Sequence, residues 1–134
     1  MNILIIIICL ILSFQDIKNG MIYSPLNCLL LIIGLSTIFN NQILRIIGIL
    51  IFPIILLIIN NNYKEIIGDG DIEFISASGL ILGFVKQNYM LLIACLLAGI
   101  YMLITKKKSL PMIPFLSIGL IICLYLWVIN INSI

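Results

Sequence analysis

Six apolar runs separated by short polar breaks dominate this chain of 134 residues and limit what it can fold into. The hydrophobic fraction is 63% and the charged fraction only 9%, which is too little polar surface to cover the core of a soluble domain. Backbone groups inside a bilayer must be satisfied within their own segment, so the runs are expected to be helices although isoleucine favours strands in water. The runs are Asn2–Phe14, Met21–Phe39, Ile43–Ile59, Ile72–Val85, Tyr89–Thr105 and Leu110–Ile129.

The sequence therefore predicts an all-α fold, a polytopic integral membrane bundle of about six transmembrane helices that forms a single domain over residues 1–134. The first run lacks a preceding basic stretch and a small-residue cleavage site, so it is expected to be a retained membrane segment and not a signal peptide. The expected surroundings are a lipid bilayer. The net charge of only +2 provides no basic surface for nucleic acid, and no nucleic-acid partner is expected.

The distribution of basic residues predicts the orientation of the bundle. If six helices alternate across the membrane, the first, third and fifth breaks share one side, which carries five of the seven basic residues. Basic residues favour the cytoplasmic side, so both chain termini are expected outside the cytoplasm. All five acidic residues fall on the predicted cytoplasmic side as well. The lysines of that side are Lys18, Lys64, Lys106, Lys107 and Lys108, and the opposite side carries Arg45 and Lys86.

Two of the acidic residues, Asp16 and Asp71, border the two shortest runs. Each of these runs has about 14 residues, or roughly 20 Å at 1.5 Å per residue, whereas a membrane crossing needs about 20 residues. A short run draws its polar flanks toward the bilayer. Asp16 follows the first run and Asp71 precedes the fourth, so both are expected near the cytoplasmic membrane surface, where they are able to meet.

These two carboxylates have a structural and a functional interpretation. Structurally, Asp71 suits the N-cap of the fourth helix and Asp16 marks the end of the first. Functionally, ionisable groups beside hydrocarbon are costly and tend to serve a purpose, and Gly68 and Gly70 allow an unusual backbone path around Asp69. Two carboxylates held close together have pKa values that move apart, so one can take a proton from water while the other polarises a carbonyl. Such a pair is suited to aspartyl proteolysis.

The remaining side chains offer few alternatives for chemistry. The chain has no histidine, and its four cysteines each lie in an apolar run without a CxxC pair, which is typical of packing residues and not of a metal site. No metal and no cofactor are therefore expected. In the fourth run Gly79 and Gly83 form a GxxxG pattern, which predicts close helix packing and a fixed position for Asp71. The cysteines are Cys9, Cys28, Cys95 and Cys123.

The motif "GDGD", Gly68 to Asp71, resembles the GxGD motif of type IV prepilin peptidases and archaeal preflagellin peptidases, which are polytopic membrane aspartyl proteases. Upstream, "DIKNGMIYSPLN" resembles the family's earlier aspartate, basic residue and Ile-Pro-Asn element, through Asp16, Lys18, Ile22, Pro25 and Asn27. Near the end, "PFLSIG" is similar to another family element. The resemblance thus covers most of the chain in the family's order.

The resemblance implies that Asp16 and Asp71 are the catalytic pair, that Asp69 is the variable residue of the motif and not catalytic, and that Gly68 and Gly70 shape the turn. It also implies a prepilin-like or pseudopilin substrate whose short basic leader is cut on the cytoplasmic side of a prokaryotic plasma membrane. The chain lacks the cytoplasmic CxxC insertion of larger members. It is therefore similar to the short, peptidase-only form, without methyltransferase activity.

Two departures from the family pattern and two other function classes stay open at this point. Glu73 stands where the family commonly has lysine, and the Ile-Pro-Asn element is interrupted, which suggests a different substrate preference. Glu65 and Glu73 are either leader-binding charges or ordinary solvated residues. A membrane phosphotransferase would use Asp69 and Asp71 as ligands of a divalent cation, and a proton-coupled transporter or assembly subunit would use buried acids as proton sites. The sequence leaves the oligomeric state open.

Overall fold

Six helices occupy the part of the chain that the structure, a computed structural model, describes, and this part contains no β-strand. The described residues are 2–19, 24–36, 42–63, 67–106 and 110–131. The prediction of an all-helical fold is confirmed for these residues. The helices are α1 (Asn2–Asn19), α2 (Ser24–Ser36), α3 (Gln42–Tyr63), α4 (Asp69–Leu82), α5 (Phe84–Thr105) and α6 (Ile113–Ile131).

The fourth helix lies at the centre of the bundle. Nine of the fourteen residues of α4 are buried, and α4 packs against α2, α3, α5 and α6. Among the described residues its backbone does not contact α1, although α2 and α6 each contact both of these helices. Asp71 therefore lies on the central helix, whereas Asp16 lies on α1, which packs against α2 and α6.

The junction between α4 and α5 differs from the prediction. We expected the run Ile72–Val85 to be one helix that is followed by a break at "KQN", residues 86–88. This prediction of the break is wrong, because α4 ends at Leu82 and α5 begins at Phe84. Gly83 lies between them with φ 77°, a backbone conformation that favours glycine, and its N–H donates to the carbonyl of Gly79 at 2.8 Å. Gly83, predicted with Gly79 to face a neighbouring helix, therefore forms the connection itself.

The predicted break lies inside α5 because its central residue is buried there. The Gln87 side chain is fully buried, and its Nε2 donates to the carbonyl of Ile75 in α4 at 2.8 Å. Beside it, Gly79 packs directly on α3. A Cβ atom built on Gly79 would lie 2.7 Å from the carbonyl carbon and oxygen of Gly48. Glycine at this position lets the two helix backbones approach closely.

Within the described ranges, two helices are long and apolar enough to cross a membrane, judged by length and composition, with candidate spans Arg45–Asn62 and Phe84–Thr105. The segments Pro25–Ser36 and Ile113–Leu126 are apolar but shorter. Large apolar side chains also lie on the outside of the bundle; Leu103, for example, is 81% exposed. The crossing of a membrane by all six helices stays a prediction.

Candidate functional site

Asp71 lies in the first turn of α4, directly after the glycine-flanked turn. Gly68 occupies the N-cap position in an extended conformation, and its carbonyl accepts the backbone N–H groups of Asp71 at 3.0 Å and Ile72 at 3.3 Å. Asp71 is therefore not the N-cap that the structural interpretation required. Its Oδ1 atom is buried and has no hydrogen-bond partner among the described residues. A carboxyl group with such an oxygen is available to bind a proton or a ligand.

Asp16 lies near the end of α1 and points into the bundle, with only 7% of its surface exposed. Its Oδ2 atom accepts a hydrogen bond of 3.1 Å from the backbone N–H of Ile113, the first residue of α6. The N-terminus of a helix has unpaired N–H groups and a positive dipole end, and both stabilise a carboxylate. Asp16 thus has a local source of stabilisation for its ionised form.

The two aspartates interact electrostatically, although the backbones of α1 and α4 do not come into contact in the described part of the chain. Both lie outside the apolar runs predicted to cross the membrane. Burial raises the pKa of Asp71, and the charge of Asp16 raises it further, to about 6. Burial also raises the pKa of Asp16, while the hydrogen bond from Ile113 lowers it. The two carboxyl groups therefore lie close enough for the charge of Asp16 to act on Asp71.

Two serines join α1 and α6 next to the Asp16–Ile113 bond. The hydroxyl of Ser13 donates to the carbonyl of Cys9 at 2.7 Å, and its Oγ lies 3.0 Å from the Oγ of Ser117, within hydrogen-bond distance. Ser13 precedes Asp16 by about one turn, and Ser117 follows Ile113 by about one turn. This contact holds the two helices at the register in which the Asp16 carboxylate meets the start of α6.

Asn27 of α2 contacts the beginning of α4 on both sides of Asp71. Its side chain is fully buried, and its Nδ2 donates to the carbonyl of Gly70 at 3.2 Å and to Oε2 of Glu73 at 3.1 Å. Both partners are acceptors, so the amide nitrogen must face them. Glu73, one of the two expected leader-binding residues, is therefore already engaged within the protein.

Asn60 of α3 holds the segment that leads into the glycine turn. Its Oδ1 accepts the backbone N–H of Ile67 at 3.0 Å, and its Nδ2 donates to the carbonyl of the same residue at 2.6 Å. Asn60 was not among the residues predicted from the sequence. The available signal was its place at the start of an asparagine cluster, residues 60–62, at the end of an apolar run.

The other acids of the motif region lie apart from the pair. The side chain of Asp69 is exposed at the first residue of α4, and Gly68 is exposed beside it. Glu65 lies outside the described residues, as do Lys64, Lys107 and Lys108. Among the residues that the structure describes, no three acidic, cysteine or histidine side chains cluster as a metal site would require.

Comparison with known proteins identifies the family. The sequence profile of the type IV leader peptidase family matches residues 3–103, about three quarters of the chain. This match includes Asp16, Asn27 and the whole of the Gly68–Asp71 motif. No curated protein and no solved structure matches the chain.

Proposed function

Because this chain belongs to the type IV leader peptidase family, we propose that it is a membrane aspartyl endopeptidase with Asp16 and Asp71 as its catalytic pair. Its substrates are prepilin-like proteins, from which it removes the short basic leader on the cytoplasmic side of the membrane. The observation that carries this proposal is the electrostatic interaction of Asp16, a buried acid, with Asp71, a partly buried acid that lies 55 positions later in the sequence.

The environment of each acid suggests how the pair divides the chemistry. The N–H of Ile113 stabilises the ionised form of Asp16, whereas Asp71 is enclosed and has a buried oxygen that lacks a partner among the described residues. Asp71 therefore holds the proton in the resting enzyme, and Asp16 is the base. Burial and the charge of Asp16 raise the pKa of Asp71 to about 6, so Asp71 takes up a proton more readily than an ordinary aspartate does.

Hydrolysis then proceeds without a covalent intermediate. Asp16 takes a proton from water as the water oxygen bonds to the carbonyl carbon of the scissile peptide, and Asp71 gives its proton to the carbonyl oxygen. In the second step the carbon–nitrogen bond breaks. Asp16 passes its proton to the leaving nitrogen, and Asp71 recovers a proton from a hydroxyl group of the tetrahedral intermediate. The pair ends in its starting state.

The membrane arrangement is part of the proposal. Six helices cross the bilayer with both termini outside the cytoplasm, supported by the lysine asymmetry and by the exposed apolar side chains of α1 and α5. This orientation sets Asp16 and Asp71 at the cytoplasmic surface, beside the position where a basic leader precedes a hydrophobic helix. A reporter fused after Ile134 is expected to be active only outside the cytoplasm.

Co-expression with a prepilin-like substrate tests the catalytic pair. Leader removal is followed by gel mobility for the wild type, Asp16→Asn, Asp71→Asn and Asp69→Asn. The first two substitutions are expected to lower the cleavage rate at least about 1,000-fold, since each removes one member of an acid–base pair, and the exposed Asp69 serves as the matched control with near-normal cleavage. Normal cleavage by Asp16→Asn would contradict the assignment of Asp16 and Asp71 as the catalytic pair.

The same assay distinguishes the other function classes. Cleavage is expected to continue with a chelator, which would inhibit a metal-dependent phosphotransferase, and after the proton gradient is dissipated, which would stop a proton-coupled transporter.

A further inference from the structure

We infer that Asn27 is a positioning residue of this site, which holds the peptide bond between Gly70 and Asp71 and thereby fixes the Asp71 carboxyl group. The inference rests on the proposed function and deepens it, because it adds a residue that neither donates nor accepts a proton in the reaction. Three features of the described residues support it: the choice of partners, the unused oxygen of the amide and the flexibility of the turn.

The first feature is which atoms Asn27 contacts. One donor proton goes to the carbonyl of Gly70, which belongs to the same peptide group as the Asp71 nitrogen, and the other goes to Glu73, two residues after Asp71. Asn27 therefore forms hydrogen bonds with the residue immediately before Asp71 and with a residue shortly after it. A residue that served only to pack α2 on α4 would need neither of these partners.

The second feature is that the fold uses only the donors of this amide. The Asn27 side chain is fully buried, yet its Oδ1 atom has no hydrogen-bond partner among the described residues. A buried polar atom without a partner is costly, and an apolar side chain of similar size would avoid that cost. The two donated bonds must offset this cost, which indicates that the role of Asn27 is to hold Gly70 and Glu73 in place.

The third feature is the backbone that Asn27 restrains. Gly70 is the second residue of α4, and glycine is a poor helix former, so the first turn of this helix, which carries Asp71, opens more easily than a turn without glycine. The Asp71 N–H is bonded to the carbonyl of Gly68, which is itself an exposed glycine. Asn27 supplies an anchor from a separate helix. A displacement of about 1 Å at a catalytic group can lower a rate about 100-fold.

Asn27→Asp tests the inference because it keeps the size of the side chain but removes both donors. We expect kcat for leader cleavage to fall at least about tenfold with KM within about threefold, since the substitution misplaces Asp71 and leaves substrate binding intact. The matched control is Asn88→Asp, at an exposed asparagine of α5 whose Nδ2 donates only to the Phe84 carbonyl of its own helix. It is expected to cleave at the wild-type rate.

Glu73 provides a milder arm that leaves Asn27 in place. Glu73→Ala loses one of the two bonds and is expected to lower kcat several-fold, whereas Glu73→Gln retains an oxygen acceptor and is expected to lower kcat less than Glu73→Ala does, without raising KM. If Glu73 instead binds the basic leader, Glu73→Gln raises KM, and that result overturns the inference. In the double variant Asn27→Asp with Glu73→Gln, the glutamine amide at position 73 can donate to the carboxylate at position 27. The double variant is therefore expected to cleave faster than Asn27→Asp alone, and cleavage that is no faster also overturns the inference.

Hydrogen exchange decides the inference without relying on activity. In Asn27→Asp the amides of residues 68–73 are expected to exchange about tenfold faster than in the wild type, while the amides of α5 and α6 keep their protection. Unchanged exchange at residues 68–73, or wild-type kcat, overturns the positioning role. Loss of protection throughout the bundle shows a purely structural role and overturns it too. If the wild type cuts no prepilin-like substrate, the proposed function fails, and the exchange result still decides the role of Asn27.

Discussion

The carboxylate of Asp16 accepts a hydrogen bond of 3.1 Å from the backbone N–H of Ile113, which lies 97 positions later in the sequence. The N–H is one of the unpaired donors at the start of α6, so Asp16 satisfies a helix terminus across the bundle. The same carboxylate is the proposed catalytic base. A substitution at Asp16 therefore affects the fold and the chemistry together, and the two effects must be separated by the choice of side chain.

Asp16→Asn and Asp16→Ala are expected to have different stabilities but the same loss of activity. Asparagine keeps an oxygen that can accept the Ile113 N–H, so its free energy of unfolding should lie within about 1 kcal/mol of the wild type. Alanine leaves that N–H unpaired and should cost about 1–2 kcal/mol. Both variants should fail to cleave the leader. Thermal unfolding in detergent, measured beside cleavage, checks this; equal stability of the two variants would show that Asp16 does not support α6.

The stability of the protein is expected to fall as pH rises from about 4 to about 6. The pKa of Asp71 rises from an ordinary 3.8 to about 6 in the folded protein, so between these values the folded state binds more protons than the unfolded state. Stability then decreases with increasing pH across this interval. One group shifted by about two pKa units contributes no more than about 3 kcal/mol to the free energy of unfolding.

Asp71→Asn isolates this contribution. The variant has no carboxyl group to titrate at position 71, so most of the decrease between pH 4 and pH 6 should disappear from its unfolding midpoints. Asp69→Asn, which changes an exposed acid in the same turn, should retain the decrease. An identical pH profile for Asp71→Asn and the wild type would show that Asp71 is not the group responsible.

The periodic and compositional signals in the sequence were enough to predict the all-helical fold. Hydropathy marks where helices lie, because the backbone of each apolar run must form its hydrogen bonds within the run. All six runs contain or overlap a helix of the described chain. Hydropathy could not locate the break between α4 and α5, since Gly83 is not polar and therefore does not interrupt the apolar run. Gly83 ends α4 by its backbone conformation, which has a positive φ angle. Lys86 and Gln87 looked like a loop, but Gln87 is a buried hydrogen-bonding residue of α5.

The two acidic residues of the candidate site could be predicted from the sequence, but the hydrogen bonds that hold the surrounding segments could not. Asp16 and Asp71 stand out because charges are rare in this chain and both border short runs. The contacts of Asp16 with Ile113 and of Asn60 with Ile67 depend on backbone N–H groups, which no side-chain pattern reveals. Asparagine is also common in loops and turns, so its presence alone does not predict such a bond.

Gly79→Ala is expected to destabilise the bundle by about 1–3 kcal/mol, because a Cβ atom there meets the backbone of Gly48 at 2.7 Å and helix backbones cannot yield as a flexible side chain can. Gly99→Ala is the matched control in α5, where nothing lies within 4 Å of the added atom. That substitution should be neutral or stabilise by up to about 1 kcal/mol. Thermal unfolding compares them, and equal effects would show that α3 and α4 are not in close contact at Gly79.

Asn60→Ala is expected to loosen the approach to the glycine turn. It removes the two hydrogen bonds that the Asn60 amide makes with the backbone of Ile67, the residue before Gly68. Two such bonds contribute about 1–3 kcal/mol together. The unfolding midpoint should fall accordingly, and the cleavage rate should fall further, because Asp71 follows this segment directly and depends on its position.

The neighbouring Asn61, an exposed residue of the same helix, supplies the control for this change. Asn61→Ala should leave both the unfolding midpoint and the cleavage rate near their wild-type values. If Asn60→Ala lowers stability while the rate per folded molecule stays normal, Asn60 supports only the end of α3. A normal rate in Asn60→Ala together with a slow rate in Asn27→Asp would mean that α2 alone positions Asp71, whereas a loss in both variants would mean that the turn needs anchors on each side.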